Sequence, residues 1–130
     1  MEDNKKILFI EDDQLISDLV SRKFLSEEIT TVHAQSGEKA LEILETDPKP
    51  LLILLDIRLP GIDGFTVLEK IKQNESTKDI PVIVFSNFSE ESGKKRASDL
   101  GAKEYVVKVS RSLDEMAELV KSYLELTAKP

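Results

Sequence analysis

The chain has 130 residues, 40% of them hydrophobic and 33% charged, with a net charge of −7 and no cysteine. That length suits one domain with one core, and the lack of cysteine excludes disulfides and thiolate metal sites. The acidic balance argues against direct nucleic-acid binding and against an anionic membrane surface, while permitting a cation.

In chain order, apolar runs alternate with helical periodicity. Lys6 to Ile10 is a short apolar strand, preceded by a segment that lacks a secretory signal pattern. No stretch is long enough to cross a bilayer, so a cytoplasmic location is expected. Asp13 reads as the cap of a helix whose Leu15, Ile16, Leu19, Val20 and Phe24 recur at helical spacing. Thr30 to Ala34 is β-branched and edge-like, and His33, the only histidine, reads there as a surface residue. Ser36 caps a helix carrying Ala40, Leu41 and Leu44, and the DPKP segment then breaks the chain. Leu51 to Leu55 is apolar throughout, and Phe65, Leu68 and Ile71 mark a helix face after Gly64. Ile80 to Ser86 is another strand, with Pro81 at its tolerant start. Ser89 to Asp99 reads as a polar helix weakened by Gly93. Glu104 to Val109 is the last strand. Ser112 and Glu115 form a capping box before a helix that presents Leu113, Met116, Ala117, Val120, Tyr123 and Leu124.

Strands that are apolar on every residue, alternating with helices, predict a parallel sheet covered on both faces, a doubly wound α/β fold. Such sheets bind ligands beyond the carboxyl ends of their strands, where the strand order reverses. The strand ends therefore belong together: Glu11, Asp12 and Asp13 after the first, Asp56 after the third, Ser86 and Asn87 after the fourth, and Lys108 at the fifth. Clustered carboxylates repel one another, and a hard cation such as Mg2+ relieves them. With that ion, the Lys108 ammonium and the Ser86 hydroxyl beside it, Asp56 is equipped to accept a phosphoryl group as an aspartyl phosphate.

This ordered set resembles the receiver domain of two-component response regulators. The resemblance rests on the acidic pair after the first strand, on DIRLPGIDG with its D-x-x-x-P-G-x-D-G spacing, on Ser86, and on YVVK in the fifth strand. It covers essentially the whole chain and implies a single receiver domain over residues 1–130, with no output domain. It implies a flavodoxin-like sheet of five parallel strands in the order 2-1-3-4-5. It also implies an aspartate phosphorylated by a histidine kinase or phosphotransfer protein, in a switch that catalyses only its own phosphorylation and dephosphorylation. Asp56 would be the phosphoacceptor. Asp12 would ligate Mg2+ directly, Glu11 through water, and Arg58 through its backbone carbonyl. Ser86 and Lys108 would hold the phosphoryl group, and Tyr105 would turn inward as Ser86 moves. The downstream target would be a protein meeting the fourth helix, fifth strand and fifth helix. Two departures stand out: Asn87 where a small residue is usual, and Val109 where proline is usual. Phe88 and Arg58 occupy positions that in the family tune the lifetime of the phosphoryl group.

Other readings are a degenerate receiver that works without phosphorylation, a magnesium-dependent phosphohydrolase with an aspartate nucleophile, and a nucleotide- or flavin-binding domain. Intact Asp12, Asp56, Ser86 and Lys108 oppose the first. Such hydrolases commonly carry a second acid two residues after the nucleophile, where Arg58 stands here. The third needs a glycine-rich loop after the first strand, and EDDQLIS has no glycine.

Overall fold

A computed structural model of the chain describes residues 6–87 and 91–128. Its elements alternate as expected: β1 (Lys6–Ile10), α1 (Gln14–Ser26), β2 (Thr30–Ala34), α2 (Gly37–Ile43), β3 (Leu52–Leu55), α3 (Gly64–Gln73), β4 (Val82–Ser86), α4 (Glu91–Asp99), β5 (Glu104–Val107) and α5 (Leu113–Ala128). All strands are parallel, and their order is β2-β1-β3-β4-β5. The order reverses at β1 and β3, where Leu8 pairs with both Val32 and Ile53.

The unbroken apolar runs serve two layers at once. Successive side chains on a strand point to opposite faces. Ile53 and Leu55 of β3 join a cluster under α2, α3 and α4, while Leu52 and Leu54 join one under α1 and α5. All four are fully buried. A carboxylate placed directly after such a strand sits at the rim of the core, and this is where Asp56 stands.

Local signals set most helix starts. The Asp13 carboxylate accepts from the Leu15 and Ile16 amides, Ser36 from Lys39, and Asp63 from Thr66. Ser112 and Glu115 bond each other's amides at 3.0 and 2.8 Å, completing the expected capping box.

Some boundaries differ from the sequence expectation. β3 begins at Leu52, β4 at Val82, and β5 stops at Val107. Lys108–Ser110 forms a 3-10 turn, so Lys108 follows the last strand instead of lying within it. Phe88 and the expected helix start at Ser89 lie outside the described residues, as does the Val109 side chain. α1 buries Ser17, Val20 and Phe24 but leaves Leu15 and Leu19 68% and 47% exposed. Its apolar periodicity is wider than the stripe it packs. No helix among the described residues is long and apolar enough to cross a membrane.

Candidate functional site

The carboxyl ends of β1, β3 and β4 and the turn after β5 meet in a cleft of 360 Å³, lined by Glu11, Asp12, Asp13, Ile16, Asp56, Arg58, Ser86, Asn87 and Lys108. Every pocket residue expected from the strand ends is therefore brought together. One carboxylate oxygen each from Glu11, Asp12 and Asp56 lies within 4.8 Å of the others. Glu11 and Asp56 are buried, whereas Asp12 is exposed.

Lys108 is the counter-charge. Its ammonium donates to Glu11 Oε1 and, at 3.1 Å, to Asp56 Oδ2. Asp56 Oδ1 accepts from the Arg58 amide at 3.2 Å, and Glu11 Oε2 from the Asp13 amide at 3.1 Å. Three carboxylates against one ammonium still leave excess negative charge. Burial pushes the Glu11 carboxyl above its usual range; the Lys108 hydrogen bond and the Asp13 amide oppose that, and the Asp56 charge adds to it. Burial pulls Lys108 down, but its hydrogen bond to Glu11 and the charges of Asp56 and Glu11 outweigh this and raise it. A donor set of hard carboxylate oxygens with surplus negative charge fits a small divalent cation that prefers oxygen.

The loop after Asp56 explains its two glycines. Gly61 adopts φ +74, a left-handed conformation that side chains disfavour, and a Cβ there would come within 2.5 Å of the Glu38 carboxylate. Glu38 Oε2 accepts from the Ile62 amide at 3.1 Å, so α2 props the loop from below. Gly64 begins α3 against the backbone beneath it: a Cβ would press on the Asp56 carbonyl and lie 2.5 Å from Ile57 Cα. Gly64→Ala is therefore expected to cost about 1–3 kcal/mol, as overpacking against unyielding backbone does. Denaturant unfolding of the variant checks this, and a loss under about 0.5 kcal/mol would mean that the backbone yields freely.

Tyr105 lies outside the cleft. It is half-buried on β5, opposite Val84, and packs with the cluster under α2, α3 and α4. Ser86 lies two residues beyond Val84 on β4 and is fully buried. The two side chains thus share one face of the sheet.

The sequence model of the response regulator receiver domain matches residues 7–121. The chain belongs to that family. It is 36% identical over 122 residues to the DNA-binding dual master transcriptional regulator RpaA of Synechocystis, covering 94% of this chain and 50% of that one. It is 34% identical to sporulation initiation phosphotransferase F of Bacillus subtilis, covering 95% of this chain and 96% of that one. The receiver thus spans half the length of the first relative and nearly all of the second. Among solved structures, it is similar to the Mn2+-bound form of response regulator Rcp1, with 32% identity, a TM-score of 0.81, and coverage of 96% and 98%. It is also similar to the phosphorylated cyanobacterial phytochrome response regulator RcpA, with 30% identity, a TM-score of 0.81, and coverage of 95% and 94%. Receivers of two-component response regulators serve phosphorylation-based signalling, and that class of function holds for this receiver.

Two residues near the receiver's cleft escaped the sequence reading. One is Glu38, already described. The other is His33, expected at the surface: its ring lies half-buried at the edge of the sheet, with Nε2 2.6 Å from the Glu11 carbonyl oxygen.

Proposed function

We propose that this receiver is a phosphorylation-dependent switch in which Asp56 accepts a phosphoryl group from a histidine kinase or phosphotransfer protein. The observation that carries the reading is the cluster of Glu11, Asp12 and Asp56 around the Lys108 ammonium. Glu11, Asp12, Asp56 and the Arg58 carbonyl would hold Mg2+. When bound, that ion offsets charge on the phosphoryl oxygens as it develops. The Asp56 carboxylate supplies the nucleophile: its oxygen forms the new P–O bond as the donor's P–N bond breaks and the electron pair returns to the donor imidazole. Lys108, freed from Asp56 Oδ2, turns to a phosphoryl oxygen. Ser86 offers its hydroxyl to another. The exposed Leu15 and Leu19, beside the cleft-lining Ile16, suit a protein donor that covers the site and excludes water. The relatives' descriptions agree in kind, since one similar structure is phosphorylated and another carries Mn2+. No direct nucleic-acid contact and no membrane insertion enter this reading, and it places the protein in the cytoplasm.

Signal output follows from the shared face of Ser86 and Tyr105. Movement of Ser86 toward the phosphoryl group vacates space on the side where Tyr105 packs. Tyr105 turns in, and the surface of α4, β5 and α5 changes for its protein target. α4 is lightly anchored: it buries Gly93 and Ala97 and stacks the Arg96 guanidinium 4.2 Å over the Phe65 ring. β5 and α5 are joined by the Tyr123 hydroxyl, which donates to Glu104 at 3.0 Å. A shift between two packings of a weakly held element fits this build.

Incubation with acetyl phosphate should add one acid-labile phosphoryl group with Mg2+ and none with chelator. Addition that ignores chelator would remove the metal from the reading. Hydrogen exchange should change in α4 and β5 on binding beryllofluoride with Mg2+, and unchanged protection in both would reject the proposed output face.

A further inference from the structure

We propose that His33 is a positioning residue for the metal-binding acids, holding the Glu11–Asp12 peptide in the orientation from which Asp12 faces the cluster. A carbonyl oxygen only accepts, so the 2.6 Å contact to Glu11 requires His33 Nε2 to carry the hydrogen. The amide side of Glu11 is tied to the same strand, its N–H donating to the Ala34 carbonyl at 3.0 Å. β2 thus grips Glu11 from both sides at the point where the β1 ladder ends. The Glu11 carbonyl belongs to the same rigid plane as the Asp12 amide. Fixing it limits the rotations that aim the Asp12 side chain.

The neighbouring acids differ in what else holds them. The Glu11 side chain is buried and bonded to Lys108 and to the Asp13 amide. Asp12 is exposed, so its aim depends on the backbone that carries it. Asp13 is fastened as the cap of α1. His33 therefore closes the one stretch between a pinned Glu11 and a pinned Asp13. The imidazole itself is braced by Phe9, whose ring lies 6.4 Å away and tilted by 48°. Preorganisation of this kind raises affinity because binding no longer has to order the ligand.

The inference rests on the reading of Glu11 and Asp12 as metal-holding acids, and it is tested on the metal alone. MgCl2 is titrated calorimetrically into the parent, His33→Phe and His33→Gln, without phosphodonor. Phenylalanine keeps a ring against Phe9 but removes the donor; glutamine restores an N–H at similar reach. Magnesium affinity should fall about tenfold in His33→Phe, the lower end of the loss seen when a ligand's support is removed. His33→Gln should stay close to the parent. Melting temperatures in chelator report folding separately. Equal affinity in all three proteins overturns the inference, as does an equal loss in both variants, since the restored N–H would then restore nothing; a loss in His33→Gln alone also overturns it and assigns the effect to ring packing against Phe9. A parent that binds no magnesium overturns the proposed function itself. A measurement on the parent needs no variant: His33 is the only histidine, so its imidazole nitrogens give one set of NMR signals. Those signals should show the Nε2–H tautomer, and the Nδ1–H tautomer would contradict the bond.

Discussion

Lys108→Met should destabilise the metal-free protein by about 3–5 kcal/mol, the range for removing one partner of a buried ion pair. The Lys108 side chain is 11% exposed, and its partners Glu11 and Asp56 are 2% and 8% exposed. Methionine fills much of the stem's volume but leaves two buried carboxylates facing each other. Burial already raises Glu11, and the Asp56 charge raises it further against the pull of Lys108. Without the ammonium that rise grows. The defect should be largest at neutral pH and shrink in mild acid, where Glu11 takes up a proton. Denaturant unfolding in chelator at both pH values checks this. A neutral-pH loss under about 1 kcal/mol, typical of a surface pair, would mean that Lys108 does not hold the acids together.

The second large effect runs the other way. Magnesium should stabilise the parent by about 2.7 kcal/mol at a hundredfold excess over its dissociation constant, because the dispersed acids of the unfolded chain offer no site. For a chain of this size that is roughly 10 °C in melting temperature. The sign with pH follows from Glu11, whose folded pKa is raised. Its proton favours the folded state fully below the unfolded pKa, and that contribution is lost as pH climbs through the folded value. The metal-free protein thus carries its repulsion at neutral pH, where the cation relieves it. Asp56→Asn removes the Asp56 charge that adds to the rise of Glu11, while its amide oxygen can still accept from the Arg58 amide. Lys108 keeps Glu11. The variant should therefore melt above the parent in chelator and gain less from magnesium. Thermal melts of both proteins, with chelator and then with magnesium, decide it. A markedly lower melting temperature for Asp56→Asn in chelator would make Asp56 a satisfied structural carboxylate.

The two perturbations differ in sign although their residues touch. Removing the Lys108 ammonium strands two buried acids; removing one acid relieves its neighbour. A cluster built only for stability would lose from either change.

The main lines of this architecture were legible because they rest on periodicity and punctuation. Leu51 to Leu55, apolar on every residue, could only serve a strand covered on both faces, and that made the rim position of Asp56 readable. Asp13, Ser36 and the Ser112–Glu115 box announced their helices through capping chemistry that acts within a few residues. What stayed hidden depends on contacts with no local period. His33 looks like any edge-strand histidine until folding sets it beside the Glu11 carbonyl. Glu38 looks like a solvated first-turn acid until the β3–α3 loop comes down on it. Leu15 and Leu19 share helical spacing with Val20 and Phe24, yet periodicity alone does not tell which side of a broad apolar stripe meets the core. Lys108 read as part of a strand because the 3-10 turn that carries it continues the apolar run of β5.

Whether Asp56 is the residue that takes the phosphoryl group is decided by peptide mass spectrometry after acetyl phosphate treatment with magnesium. One acid-labile modification is expected on the peptide containing Asp56 in the parent and none anywhere in Asp56→Asn. The same modification in the variant, or its appearance on another peptide of the parent, would contradict that role for Asp56.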